Sequence, residues 1–151
     1  MEKVFNINFS QYDTLSDLSP ADALLVEQAK QMTQKSFAPY SNFCVGAAAR
    51  LASGKIIHGC NVESEVYPAG LCAERTLLFY AQSNHGDDPI EALAIASVPD
   101  QREVYPCGQC RQVLMDTERR QASPIRIIMS GRDSATIVDS AADLLPFTFK
   151  L

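Results

Sequence analysis

The chain has 151 residues, 46% of them hydrophobic and 21% charged, and a formal net charge of −5. That size predicts one domain over residues 1–151, with a core that needs no staples. The acidic balance argues against wrapping a nucleic-acid backbone, which takes a basic footprint. No apolar run is long enough to span a membrane. The start, Met1-Glu2-Lys3-Val4-Phe5-Asn6, lacks the basic opening and apolar run of a secretion signal, so a cytoplasmic location is expected. The cysteine count is five, an odd number that would leave one over from a closed disulfide framework. In a reducing compartment such cysteines read as metal ligands or catalytic thiols.

Residues 1–18 mix polar and aromatic types and read as an N-terminal extension. Ser19-Pro20-Ala21-Asp22 is a helix start, with Ser19 as cap, Pro20 at the first helical position and Asp22 at the positive end. Leu25, Ala29 and Met32 recur at helical spacing with Leu24 beside them, and that helix fades before Pro39. Phe43 to Leu51 reads as a strand, Ser53-Gly54 as a turn, and Lys55 to Val62 as the returning strand. Cys72 to Gln82 reads as a helix with Leu77, Leu78 and Ala81 on its apolar face. Asn84 to Pro89 reads as a loop, Ile90 to Val98 as an apolar strand, Cys107 to Glu118 as a helix and Ile125 to Ser130 as a short strand. A hairpin followed by alternating helices and strands predicts a mixed sheet covered by helices.

Cys72 and the pair Cys107, Cys110 each open a predicted helix. In Pro106-Cys107-Gly108-Gln109-Cys110 the C-x-x-C spacing lets both sulfurs reach one tetrahedral ion around a tight turn. Cys72 adds a third sulfur, and three protein ligands with an open position describe a catalytic rather than a structural zinc site. Glu74 lies two residues beyond Cys72. It meets the same ion only if the ion sits off the helix end, where a carboxylate can take a proton from water and return it to a leaving group. Zinc deaminases of bases carry H-x-E upstream of P-C-x-x-C, with a glutamate that is not a ligand. Here Cys72-Ala73-Glu74 stands in the first position.

Three thiolates exceed the zinc charge by one. Helix N-termini offset such an excess, as would Arg75 and Arg111, each directly after a motif residue, and at least one of the two is expected to donate to a sulfur. Cys44 and Cys60 read as small apolar strand residues. His58 and His85 are weak ligand candidates, in a strand and a polar loop. A thiol-redox pair at Cys107 and Cys110 is the main rival reading. A non-catalytic zinc module is another, which would need a fourth ligand folded in from Cys44, Cys60 or His58.

Several phrases in order resemble the small, all-cysteine cytidine deaminases of pyrimidine salvage, from about Phe37 to Phe149. They are Ala38-Pro39-Tyr40-Ser41-Asn42-Phe43, Val45-Gly46-Ala47, Gly59-Cys60-Asn61-Val62-Glu63, Cys72-Ala73-Glu74-Arg75-Thr76, Pro106 to Val113, and Leu144-Leu145-Pro146. The resemblance implies an α/β fold of three layers, α/β/α, with a mixed five-stranded sheet. It implies one zinc ion per subunit on Cys72, Cys107 and Cys110, Glu74 as proton shuttle, and a homotetramer. It implies a nucleoside substrate, with Asn61 and Glu63 holding the ribose hydroxyls and Phe43, Ala73 and Phe149 contacting substrate, Phe149 from a neighbouring subunit. Tyr67 matches a residue near a subunit junction. The implied reaction is hydrolytic deamination of cytidine and 2′-deoxycytidine. Another aminopyrimidine nucleoside, of the blasticidin S type, is the alternative substrate. Family members usually read Glu-Asn-Ala-x-Tyr where this chain has Glu63-Ser64-Glu65-Val66-Tyr67, so Glu65 replaces a small residue beside the pocket.

Overall fold

A computed structural model of the protein describes residues 1–98 and 101–151. Its strands are β1 (Ser10–Tyr12), β2 (Cys44–Leu51), β3 (Ile56–Cys60), β4 (Ile90–Val98), β5 (Arg126–Ser130) and β6 (Ala135–Val138). Its α-helices are α1 (Pro20–Met32), α2 (Ala73–His85) and α3 (Gly108–Gln121). The strands form one sheet in the order β1-β6-β5-β4-β2-β3.

Central β4 is an almost unbroken apolar run, the pattern of a strand covered on both faces. Its alternation sorts side chains by size. Leu93 and Ile95 join Val45, Ala47, Ala49, Ile127 and Met129 beneath α2 and α3. Ala92, Ala94 and Ala96 join Ala48, Ile128 and Ile137 beneath α1. The small-residue face lets α1 approach closely. At Gly46 on β2 a Cβ would lie 2.0 Å from the Ala29 carbonyl oxygen, so no larger residue fits.

Ser19 caps α1 by accepting from the Asp22 N–H at 3.2 Å. Leu25, Val26 and Ala29 are buried while Leu24 is exposed, so the apolar stripe runs through Val26 instead of Leu24. Asp22 is buried and held by Arg126 Nη2 at 3.0 Å, which ties α1 to β5.

Strand β2 is antiparallel to both β3 and β4, so β3 and β4 run parallel, and β5 is parallel to β4. Parallel neighbours need long crossovers. Here α2 supplies one and α3 the other, both on the same face. Both helices therefore start beyond the carboxyl ends of β3 and β4, the edge at which α/β sheets bind ligands.

The three-layer α/β arrangement is as expected, but the sheet has six strands where five were expected. The sixth is β1, from the segment read as an extension, and it pairs with β6 along Ser10–Ile137, Gln11–Thr136 and Tyr12–Ala135. Three residues without apolar alternation carry no local strand signal; a distant partner creates the strand. Leu18 from the same segment is buried in the core beneath α1. Asn84 and His85, expected in a loop, extend α2, where Asn84 Nδ2 donates to the Tyr80 carbonyl at 3.0 Å. Among the described residues no helix is long and apolar enough to cross a membrane.

Candidate active site

Cys72 and Cys107 occupy the N-cap positions of α2 and α3, and Cys110 sits in the first turn of α3. Cys72 Sγ lies 3.8 Å from Cys107 Sγ, and Cys107 Sγ lies 3.5 Å from Cys110 Sγ. All three sulfurs fall within 4.8 Å of one another. Tetrahedral zinc with Zn–S bonds of ~2.3 Å needs sulfurs about 3.8 Å apart, so this donor set fits that ion. Cys110 is buried, Cys72 half-buried and Cys107 exposed, so the cluster opens to one side.

Arg75 Nη2 donates to Cys72 Sγ at 3.6 Å. A hydrogen bond from Cys110, opposed by burial and aided by Arg75 and Cys107, brings the Cys72 thiol down to about 5. Cys110 is shifted upward by the same sharing and by burial. The chain by itself thus stabilises one thiolate at a helix N-terminus. Glu74 is 3% exposed. Burial pushes its carboxyl up to about 7, against a hydrogen bond from its own backbone N–H and with help from the charge on Cys72. A carboxyl poised near neutrality is suited to proton transfer.

Gly59 on β3 lets this first turn of α2 settle onto the sheet. A Cβ there would lie 2.8 Å from the Ala73 carbonyl oxygen and 2.9 Å from Leu77 Cβ. Ala73 itself is fully buried at the start of α2.

A cavity of about 470 Å³ adjoins the cluster, with Cys72, Arg75, Asn61, Glu63, Tyr40 and Tyr67 among its walls. The chain beyond β3 is stitched to two neighbours. Phe37 N–H donates to the Asn61 carbonyl at 3.1 Å, Glu63 N–H to the Phe37 carbonyl at 2.8 Å, and Val62 and Leu71 exchange two 3.0 Å bonds. Asn61 Oδ1 accepts from Val45 N–H at 2.8 Å and from the Ser36 hydroxyl, while Nδ2 donates to the Phe43 carbonyl at 2.8 Å. Both lone pairs of Oδ1 are taken, so Asn61 offers a hydroxyl only its second N–H. Its free valence is a donor. Glu63 Oε1 accepts from the N–H groups of Tyr40 at 3.0 Å and Ser41 at 3.2 Å. Desolvation pushes the Glu63 carboxyl up, but these bonds outweigh it and hold the group below its ordinary value. Tyr40 and Tyr67 pack at a ring separation of 5.3 Å.

Other predicted residues lie elsewhere. Phe43 packs, half-buried, against the core beneath α2 and α3, and is not among the walls of the cavity. Phe149 is 69% exposed, and only its carbonyl is engaged, by Gln112 and Arg119. Of the two arginines, Arg75 is the one at a sulfur; Arg111 donates to two carbonyls, Nε to Pro106 at 2.8 Å and Nη1 to Leu144 at 2.9 Å. Cys60 Sγ faces the Lys35 carbonyl at 3.3 Å, and His58 Nε2 pairs with Gln28 Oε1 at 2.6 Å. Neither joins the cluster, which among the described residues is Cys72, Cys107 and Cys110 alone. Ser36, Tyr40 and Ser41, which orient Asn61 and Glu63, carry no chemical signature in sequence. Gly59 sits inside the Gly59-Cys60-Asn61 phrase but reads as an ordinary strand residue.

The family model described as the cytidine and deoxycytidylate deaminase zinc-binding region matches residues 19–123. The chain belongs to this family of deaminating enzymes. Among its relatives, the cytidine deaminase of Halalkalibacterium halodurans is 44% identical over 94 residues, which are 62% of this chain and 69% of that one. A probable cytidine deaminase of Dictyostelium discoideum is 33% identical over 124 residues, 82% of this chain and 80% of that one. The crystal structure of cytidine deaminase from Burkholderia pseudomallei superposes with a TM-score of 0.73 at 38% identity, covering 87% of this chain and all of the other.

Proposed function

We propose that the chain is a single-domain enzyme that hydrolyses cytidine and 2′-deoxycytidine to uridine and 2′-deoxyuridine with release of ammonia. The observation that carries this reading is Glu74: a buried carboxyl near neutrality, in the first turn of α2 beside Cys72, whose sulfur converges with those of Cys107 and Cys110 from α3. Cys72, Cys107 and Cys110 would hold one zinc ion per subunit, which when bound lowers the pKa of a water towards ~7.

The remaining work falls to the chain's own groups. Glu74 removes a proton from water and passes it to N3 as the oxygen adds to C4 of the base. It then takes the proton of the new C4 hydroxyl and delivers it to the amine, so that the C–N bond breaks, ammonia leaves and a C4 carbonyl remains. The free Nδ2–H of Asn61 donates to a sugar hydroxyl, and Glu63 Oε2, opposite the oxygen already engaged, accepts from one. Glu63 stays anionic because its backbone partners favour the charged form. Arg75 limits the excess negative charge of the thiolates. The non-catalytic zinc reading needs a fourth ligand, and among the described residues none of the candidates Cys44, Cys60 and His58 joins the three sulfurs.

A role in pyrimidine salvage in the cytoplasm and assembly as a homotetramer belong to the same proposal. The test is ammonia release from cytidine, 2′-deoxycytidine, cytosine and a blasticidin-type antibiotic, with zinc measured on the same sample. The proposal expects turnover of the two nucleosides by zinc-loaded protein. Turnover of the antibiotic alone, or of nothing despite full zinc loading, contradicts it.

A further inference from the structure

The chain beyond β6 is held along α3 by side chains of that helix. Glu118 accepts from the Ser140 hydroxyl at 2.8 Å and the Ala141 N–H at 2.7 Å. Arg111 Nη1 holds the Leu144 carbonyl. Gln112 and Arg119 hold the Phe149 carbonyl at 3.2 and 2.9 Å, and Arg119 also reaches the Thr148 hydroxyl. Leu144 and Leu145 pack on the core beneath the same helix. Residues 140–149 thus form a strap over the helix whose first turn carries Cys107 and Cys110.

Two of the strap's anchors stand out. Phe147 takes a backbone φ of 55°, a left-handed conformation that a bulky residue adopts only when its surroundings impose it. Its ring meets Phe5 at 6.3 Å, so the N-terminal segment touches the strap. Arg111 is the other. One guanidinium bonds at once to the strap, through Leu144, and to the residue immediately before Cys107, through Pro106. A planar fork spans two carbonyls in this way where a lysine ammonium, a point charge on a flexible stem, does not.

We infer that Arg111 is a positioning residue for the metal cluster, coupling the C-terminal strap to the turn that presents Cys107. Loss of the strap frees Arg111, and loss of Arg111 frees the Pro106-Cys107 turn; either lets the exposed sulfur of Cys107 drift from the other two. The inference rests on the zinc reading above. It goes beyond that reading by assigning metal retention to segments outside the matched residues 19–123.

The experiment is zinc transfer from purified holoprotein to a chromophoric chelator, followed as rate and equilibrium. It uses the wild type, Arg111→Lys, Arg111→Met, a deletion of residues 144–151, and the deletion combined with Arg111→Met. Arg120→Met is the control, because Arg120 on the same helix bonds to Gln82 and Thr117 and not to the strap. Folding is checked by circular dichroism. Groups outside the ligand set typically alter metal affinity by about 10- to 100-fold. The expected result is zinc held about 10-fold more weakly in Arg111→Met and in the deletion, and no further loss when the two are combined, because they break one linkage. Arg111→Lys, the gentlest change, falls between wild type and Arg111→Met, and Arg120→Met matches wild type. Wild-type retention in Arg111→Met or Arg111→Lys, or losses that add in the combined variant, overturn the inference. Wild-type protein that binds no zinc overturns instead the zinc reading beneath it.

Discussion

Arg75 Nη2 sits 3.6 Å from Cys72 Sγ, whereas Arg111, the residue directly after Cys110, turns away to two backbone carbonyls. The two arginines look equivalent in sequence, yet one neutralises a thiolate and the other fastens a turn. Removing each should fail differently. Arg75→Gln keeps the turn but loses a charge facing the sulfur cluster. Its turnover should fall about 10-fold or more at full zinc loading. Steady-state kinetics with zinc measured on each sample checks this, and wild-type kcat in Arg75→Gln counts against it.

Glu74 should weaken the fold it serves. Its folded pKa of about 7 lies above the ordinary 4.5, so the folded chain binds more protons than the unfolded one between those values. Stability therefore falls as pH rises from about 4.5 to about 7 and stays low above, by on the order of 3 kcal/mol in total. Glu74→Gln removes this penalty. Zinc-stripped Glu74→Gln should melt higher than stripped wild type at pH 8 and show no advantage at pH 4. Equal melting temperatures at pH 8 contradict the assignment.

The same carboxyl sets the acid limb of the rate profile. Glu74 must be ionised to accept a proton, so kcat/KM should drop as pH falls through the range of its pKa. Glu63 is shifted the other way and adds no limb near neutrality. A zinc ion beside Glu74 favours its carboxylate, so in the loaded enzyme the limb should lie on the acid side of the zinc-free value of about 7. An acid limb that persists unchanged in the residual activity of Glu74→Gln contradicts Glu74 as its source.

Gly59 should matter to catalysis through packing. A Cβ placed 2.8 Å from the Ala73 carbonyl oxygen pushes the first turn of α2, with Cys72 and Glu74, off the sheet. Gly59→Ala should cost about 1–3 kcal/mol of stability. It should also lower kcat by a larger factor than a matched core substitution away from that turn. Denaturant melts and kinetics on the same preparation check both.

Glu63 carries two burdens, holding the Tyr40 and Ser41 N–H groups and facing the cavity. Glu63→Gln keeps an acceptor for the backbone but removes the charge. KM for cytidine should rise about 10-fold, with little change on a sugar-free cytosine. An equal effect on both compounds would mean Glu63 acts only on the loop.

The local signals in this chain were strong where chemistry or periodicity is short-range. Ser19 and Pro20 start α1, the apolar run of β4 marks a central strand, and the cysteine spacing marks a cluster on two helix starts. What stayed hidden depends on distant partners. Ser10–Tyr12 becomes a strand only beside β6, and Ala135–Val138 only between β1 and β5. The donor role of Asn61 follows from Val45 and Ser36 filling its oxygen, a fact of three-dimensional neighbours. Arg111 is the sharpest case, since nothing adjacent to it in sequence reveals that Leu144 waits across the fold.

Glu74 is proposed to move protons beside a three-cysteine zinc centre. The most direct measurement is ammonia release from cytidine by wild type and Glu74→Gln, each with its zinc content determined. Both proteins should retain zinc, the wild type should release one ammonia per cytidine consumed, and Glu74→Gln should be slower by about 10²- to 10⁴-fold. Glu74→Gln turning over at the wild-type rate with zinc in place would contradict it.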